Sequence, residues 1–150
     1  MEIQEVLNVS RIKILHQSIN KKKVMELMTD CFVNDGIVFD KEMFIKDLNI
    51  REQEFSTYIG YEIAIPHAIS KSVKKPAIAI LKLDQEIDYG GGDEPVKLFV
   101  MLAIPENSND QHLKMLSLVA TKLMHKDFRQ DLMNLNREDE IYALLASSLK

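Results

Sequence analysis

Four histidines, the arginine Arg51 and the single cysteine Cys31 are the side chains that invite a chemical reading, and their surroundings separate them. His67 follows Ile63-Ala64-Ile65-Pro66, an apolar run that ends in a residue of fixed φ. An imidazole held there stands at the mouth of a rigid sheet, where binding and catalytic groups collect; the same spacing also suits an exposed loop histidine. A neutral imidazole, with a pKa of about 6.5, offers a nitrogen lone pair to phosphorus without an activating base. His112 falls in the first turn of a helix that Ser108 and Gln111, spaced as a capping box, would start. Free N–H groups and the dipole favour phosphate at such a place, and a partly buried helix-start histidine has the same signature. Arg51 follows Leu48 and Ile50 and precedes Glu52 and Glu54, so it reads either as a planar grip for phosphate oxygens or as a solvated charge at a helix end.

The remaining candidates carry less. His16 follows an apolar strand and His125 lies at a helix end beside Lys126, where both read as structural. The eight methionines show no grouping that asks for a ligand and read as core and gap fillers. Cys31 sits in a helix-like apolar pattern, has no cysteine to pair with, and suits a reducing compartment. A metallohydrolase built on His67 and His112 would need a third ligand, an HExxH motif or a cysteine pair, and none accompanies them. No metal and no cofactor is expected.

The elements that must position these residues follow from periodicity. Ile12 to Leu15 reads as a short strand, and Asn20 as the cap of a helix burying Val24, Met28, Cys31 and Phe32, stopped by Gly36. A second helix begins at Asp40, carries Phe44 and Leu48 inward and ends in the polar stretch Arg51 to Thr57. Ile63 to Ile65 are extended, since a residue before proline avoids the helical region, and the chain is expected to turn at His67. Ile78, Ile80 and Leu83 mark a strand, Tyr89 to Pro95 a turn, and the nearly all-apolar Val96 to Ile104 a central strand covered on both faces. A helix from Ser108 is expected to bury Leu113, Leu116, Val119, Ala120 and Leu123. Two shorter helices follow, one showing Phe128, Leu132 and Leu135, the other Ile141, Leu144, Leu145 and Leu149. Strands mixed with helices predict an α/β (α+β) fold: a three-layer α/β/α sandwich around a mixed central sheet, in a single domain. The strand order is not readable.

Composition agrees with one folded unit of 150 residues, 46% hydrophobic and 28% charged. A net charge of −4 with scattered lysines, apart from Lys21 to Lys23, argues against a nucleic-acid partner. The N-terminus carries acids where a signal peptide is basic, and no apolar run reaches membrane-spanning length, so a soluble, cytoplasmic protein without direct membrane insertion is expected.

Arg51-Glu52, Ser56-Thr57, Gly60, Ile63-Ala64-Ile65-Pro66-His67 and His112-Leu113-Lys114-Met115-Leu116 stand in the order and spacing of one family. The sequence resembles the enzyme IIA component, fructose/mannitol type (EIIA type 2), of the phosphoenolpyruvate-dependent sugar phosphotransferase system. The resemblance extends from about the first helix to the last and covers most of the chain, and residues 1–150 are expected to form one domain of this type. It implies that His67 is phosphorylated on its tele nitrogen by the phosphocarrier protein HPr and passes the group to a cysteine of enzyme IIB, which serves the membrane permease enzyme IIC. It also implies that His112 and Arg51 stabilise the phosphate, with Ser56 and Thr57 nearby. A modest apolar docking patch is expected around Ile63, Ile65, Ala68 and Ile69. The resemblance equally admits the family's nitrogen-related branch, a regulatory module that signals its phosphorylation state. Two departures stand out: Glu62 where relatives carry glycine, which would bring a carboxylate near an anion site, and the turn Gly90 to Gly92.

Overall fold

The computed structural model describes residues 3–107 and 110–149, the side chains of Gln111 and His112 excepted. Along the chain come α1 (Ile3–Val6), a 3-10 turn (Val9–Arg11), β1 (Ile12–Leu15), α2 (Lys21–Asn34) and α3 (Lys41–Glu54). Then follow β2 (Tyr58–Gly60), β3 (Ile63–Ala64), β4 (His67–Ser70), β5 (Ala77–Asp88) and β6 (Pro95–Pro105). Three helices close the described chain: α4 (Asp110–Leu123), α5 (Lys126–Asn134) and α6 (Glu138–Ser148).

The six strands make one mixed sheet in the order β1-β5-β6-β3-β2, with β4 also on β6. Strands β5 and β6 pair antiparallel as a long hairpin, β1 runs parallel to β5, and β3 and β4 run parallel to β6. Side chains alternate across the pleat, so Ala77, Ala79 and Leu81 face α2 and α3, while Ile78 and Ile80 face α4, α5 and α6. Covering both faces explains why Val96 to Ile104 is almost continuously apolar, and it gives the predicted three-layer, single-domain architecture.

Local signals place the helices. Asn20 accepts the amide of Lys23 at 2.9 Å, so the predicted cap forms, and Asp40, where the second helix was expected to begin, caps α3 by accepting the amide of Met43 at 3.1 Å. Gly36, at φ 71°, lets the chain leave α2. Phe32 of α2 meets Phe44 of α3 edge to face, 5.9 Å between centroids. Phe44 and Leu48 are fully buried, and Arg51, one turn beyond Leu48, continues the same inward stripe. Deep in the fold, Arg11 binds the carbonyls of Val6 and Ile78 and pairs with Asp35.

Two expectations are corrected and a third lies outside the described residues. His67 does not turn the chain: it opens β4, opposite Leu102, and β3 and β4 lie end to end along β6 with Ile65-Pro66 between them. Pro66 cannot donate, so the ladder breaks there while its carbonyl still accepts the Leu102 amide. Helix α4 buries Met115, Val119 and Leu123, an i, i+4, i+8 row, and only partly Leu116 and Ala120; Leu113 stays 44% exposed. The capping box falls partly on Ser108 and on the Gln111 side chain, outside the described residues. Helix α1, the 3-10 turn and β2 had no expectation behind them.

Tyr61 and Glu62 join β2 to β3 as a two-residue turn with φ of 57° and 63°, a shape that favours Asn-Gly. The Arg129 guanidinium lies 3.5 Å over the Tyr61 ring, and Lys97 pairs with Glu62 at 3.8 Å. A glycine at position 62 would relieve this left-handed backbone. Glu62→Gly should stabilise the fold by about 1 kcal/mol, a melting-temperature rise of about 2–4 °C. An unchanged or lower melting temperature in calorimetry would mean that the Lys97 contact outweighs the strain.

Candidate functional site

The site is assembled by three segments: the last turn of α3, the loop Phe55 to Thr57, and the interrupted edge where β3 gives way to β4. On α3 the stripe Phe44, Leu48, Arg51 aims the guanidinium at β4. On β4 the outward positions are His67 and Ile69, with Ala68 and Ser70 turned into the core.

Half-buried His67 has its Nδ1 2.9 Å from the carbonyl oxygen of Ile65. A carbonyl can only accept, so Nδ1 carries the proton and Nε2 keeps its lone pair. Arg51 Nε donates to that Nε2 at 3.2 Å, and Arg51 Nη1 donates to the Phe55 carbonyl at 2.7 Å. The arrangement offers a nucleophilic ring nitrogen beside a fixed cation. Burial pushes the His67 imidazole below its usual 6.5 and the Arg51 charge adds to this, while the Ile65 hydrogen bond and Glu52 oppose it. The ring is therefore neutral when an electrophile arrives.

Behind this pair lies a carboxylate that sequence reasoning passed over. Glu52, 8% exposed, accepts from the Thr57 amide at 3.2 Å, the Tyr89 hydroxyl at 2.7 Å and the Thr57 hydroxyl at close range. Lys21 reaches it at 3.6 Å and lies 3.9 Å over the Tyr89 ring. Burial and the nearby Glu52 charge raise the Tyr89 pKa, which keeps that phenol a donor. The available signal was Glu52 itself, adjacent to Arg51 in the motif; Tyr89 was hidden because it reads as the first residue of a glycine-rich turn.

Of the expected site residues, the structure brings His67 and Arg51 together. His112 lies on the first turn of α4, and its side chain is outside the described residues. Ser56 bonds Glu94 at 2.7 Å and Thr57 serves Glu52, so both brace the loop and neither has a hydrogen bond to His67. His16 forms an exposed pair with Asp84 at 2.7 Å, and His125 stands at the N-cap of α5 without a side-chain cap bond. Glu62 sits at the level of Leu98, four strand positions from the partner of His67, roughly 13 Å away, so it does not adjoin the site. The expected docking patch is also corrected: Ile63, Ile65 and Ala68 are core, because the edge is packed on both faces. Only Ile69 of that set is exposed, accompanied by Phe55 at 80%.

Among the described residues no three His, Cys, Asp or Glu side chains form a group able to hold a metal, and no helix is long and apolar enough to cross a membrane.

The model of one protein family, described as phosphoenolpyruvate-dependent sugar phosphotransferase system, EIIA 2, matches residues 5–148. A fructose-specific EIIA component of this system from Haloferax volcanii is 29% identical, with 97% of each chain covered. A fructose-specific EIIABC component from Bacillus subtilis is 35% identical over 97% of this chain, which spans 23% of that longer protein. Among solved structures, the nitrogen regulatory protein IIA-Ntr from Neisseria meningitidis superposes with a TM-score of 0.84 at 29% identity, covering 95% of this chain and 98% of that one.

The depressed His67 pKa has a measurable consequence. Below 6.5 the unfolded chain binds this proton more readily than the folded one, so the contribution of His67 to stability is complete above 6.5 and is lost as pH falls through the folded value. An NMR titration should place the imidazole below 6.5, and Arg51→Ala should move it upward. A wild-type value at or above 6.5 would contradict the buried, cation-flanked geometry.

Proposed function

The chain belongs to the EIIA type 2 family of the phosphoenolpyruvate-dependent sugar phosphotransferase system, and from that membership we propose that it is a phosphocarrier working through Nε2 of His67. The observation that carries the reading is the Nδ1–H bond to Ile65, which leaves Nε2 as the nucleophile with Arg51 against it.

The Nε2 lone pair attacks the phosphorus of phospho-HPr, the donor's P–N bond breaks, and the electron pair returns to the donor imidazole. In the second half a thiolate of enzyme IIB attacks the same phosphorus and the bond to His67 breaks in turn. Such transfers need alignment and neutralisation of the equatorial oxygens more than covalent help. Once Nε2 is phosphorylated, the Arg51 N–H that it accepted is free for a phosphoryl oxygen. His112 is proposed to add a second donor from α4. The P–N bond is labile, which suits a carrier that must release its load.

The setting is proposed as cytoplasmic sugar uptake, with enzyme IIC as the membrane partner reached through IIB and fructose as the first sugar to try; the fructose-specific names of the relatives support this choice. A second reading is a regulatory, nitrogen-type module, supported by the likeness to IIA-Ntr. Delivery of phosphate to a IIB cysteine, followed by sugar phosphorylation, separates the first from the second.

Incubation with enzyme I, HPr and phosphoenolpyruvate should add one acid-labile, base-stable phosphate, seen by mass spectrometry. His67→Ala should fold and take up none; stoichiometric labelling of that variant would remove His67 from the mechanism.

Arg51→Ala and His112→Ala should fold and still be labelled on His67, but each should deliver phosphate to IIB at least about tenfold more slowly, the scale of one or two kcal/mol in the transition state. Wild-type delivery rates in both would confine them to a structural role.

A further inference from the structure

We infer that Glu52 is a positioning residue for the transfer at His67, acting through the Phe55 to Thr57 loop on both Arg51 and the imidazole. The inference rests on the phosphocarrier reading for its kinetic part only.

A carboxylate in the last turn of a helix faces the negative end of the dipole, and burying it adds a desolvation cost. Glu52 bears both, at 8% side-chain exposure, and is compensated by the Thr57 amide and hydroxyl, the Tyr89 hydroxyl and the Lys21 ammonium. Arg11 and Lys82, two buried cations that also bind backbone carbonyls, simply tie elements together. Glu52 differs in what its partners touch next.

From Thr57 a closed circuit runs through the site. The Thr57 carbonyl accepts the Ile65 amide at 3.0 Å, the Ile65 carbonyl accepts His67 Nδ1–H at 2.9 Å, and His67 Nε2 accepts Arg51 Nε–H at 3.2 Å. Arg51 Nη1 donates to Phe55 at 2.7 Å, two residues before Thr57, where Glu52 closes the ring. Both groups at the reacting nitrogen are thus aimed by carbonyls, Phe55 and Ile65, whose positions follow that of Thr57. Thr57 is fixed by Glu52. Release of this anchor would misdirect the cation and the ring together, and misplacement of about 1 Å at a reacting centre can lower a rate by about a hundredfold. Tyr89 and Lys21 hold the carboxylate in turn, which links the β5–β6 turn and the start of α2 to the site.

The test uses the full chain with Glu52→Gln, Thr57→Val, Thr57→Ser and Tyr89→Phe. Glutamine keeps the shape but replaces one accepting oxygen by a donor, so it cannot serve all the Glu52 donors. Two readouts are taken: the tautomer of His67 in the resting protein by 15N NMR of the ring, and single-turnover phosphate uptake across a range of phospho-HPr concentrations. In Glu52→Gln and Thr57→Val the single Nδ1–H tautomer should become mixed. The maximal uptake rate should fall at least about tenfold with half-saturation changed by no more than about twofold. Thr57→Ser, which retains the hydroxyl, should restore both towards wild type. A folded Glu52→Gln protein with wild-type tautomer and uptake rate, whatever its melting temperature, overturns the inference. If Glu52→Gln does not fold, Tyr89→Phe decides on the same two readouts, its loss of one donor predicting a smaller change in the same direction and wild-type behaviour refuting it. If the wild type itself takes no phosphate at His67, the phosphocarrier reading has failed, and the tautomer alone decides the role of Glu52.

Discussion

The hydrogen bond from His67 Nδ1 to the carbonyl of Ile65 decides which ring nitrogen is available, and the local fold is arranged so that it can form. It requires a carbonyl two residues back that is turned out of the sheet ladder. The break between β3 and β4 supplies it: Pro66 has no N–H to keep the strand continuous, so the chain leaves register at Ile65 and re-enters at His67. The buried flanks Ile63, Ala64 and Ala68 then make the break rigid. A short local bond becomes a fixed tautomer because a packed sheet stands on either side of it.

Much of the architecture was legible in the sequence because its signals are local. The cap at Asn20, the helix start at Asp40, the glycine after α2, and the apolar run of β6 each act over a few residues and appear where the pattern put them. What depends on tertiary pairing was not legible. Tyr58 to Gly60 is a strand only because Ile63-Ala64 offers it an edge, and His67 opens a strand only because β6 extends far enough to pair with it. The apolar run through Ile63, Ile65 and Ala68 reads equally as surface patch or as core, since period alone cannot say whether an edge is covered. At the site, residue types left His67 and Arg51 open between a surface and a functional reading, and only the order and spacing of the motifs singled them out. Glu52, Thr57 and Tyr89 act through contacts across 5 to 37 positions of sequence, and no motif spacing displays such contacts.

Charge is organised by depth. The protein is acidic overall, at −4, yet the ions that approach His67 are a cation in contact and an anion one layer behind. Arg51 alone would favour holding an anion tightly; Glu52, close enough to act on the ring, moderates that field. A carrier has to bind its load and let it go, and a cation balanced by a buried carboxylate suits this better than a cluster of positive charge.

The topology of the sheet also sets an order of assembly. The β5–β6 hairpin closes across a short turn, with Asp88 opposite Pro95, whereas β1 pairs with a strand roughly seventy residues further on, Ile12 opposite Ile80. Closing the larger loop costs more chain entropy, so the hairpin is the cheaper of the two pairings to form. Helices α2 and α3 and the His67 segment lie between those two strands in the chain. His67 itself pairs with Leu102 of β6, 35 residues further on, so during synthesis the reactive centre waits on β6 before its own strand can be held.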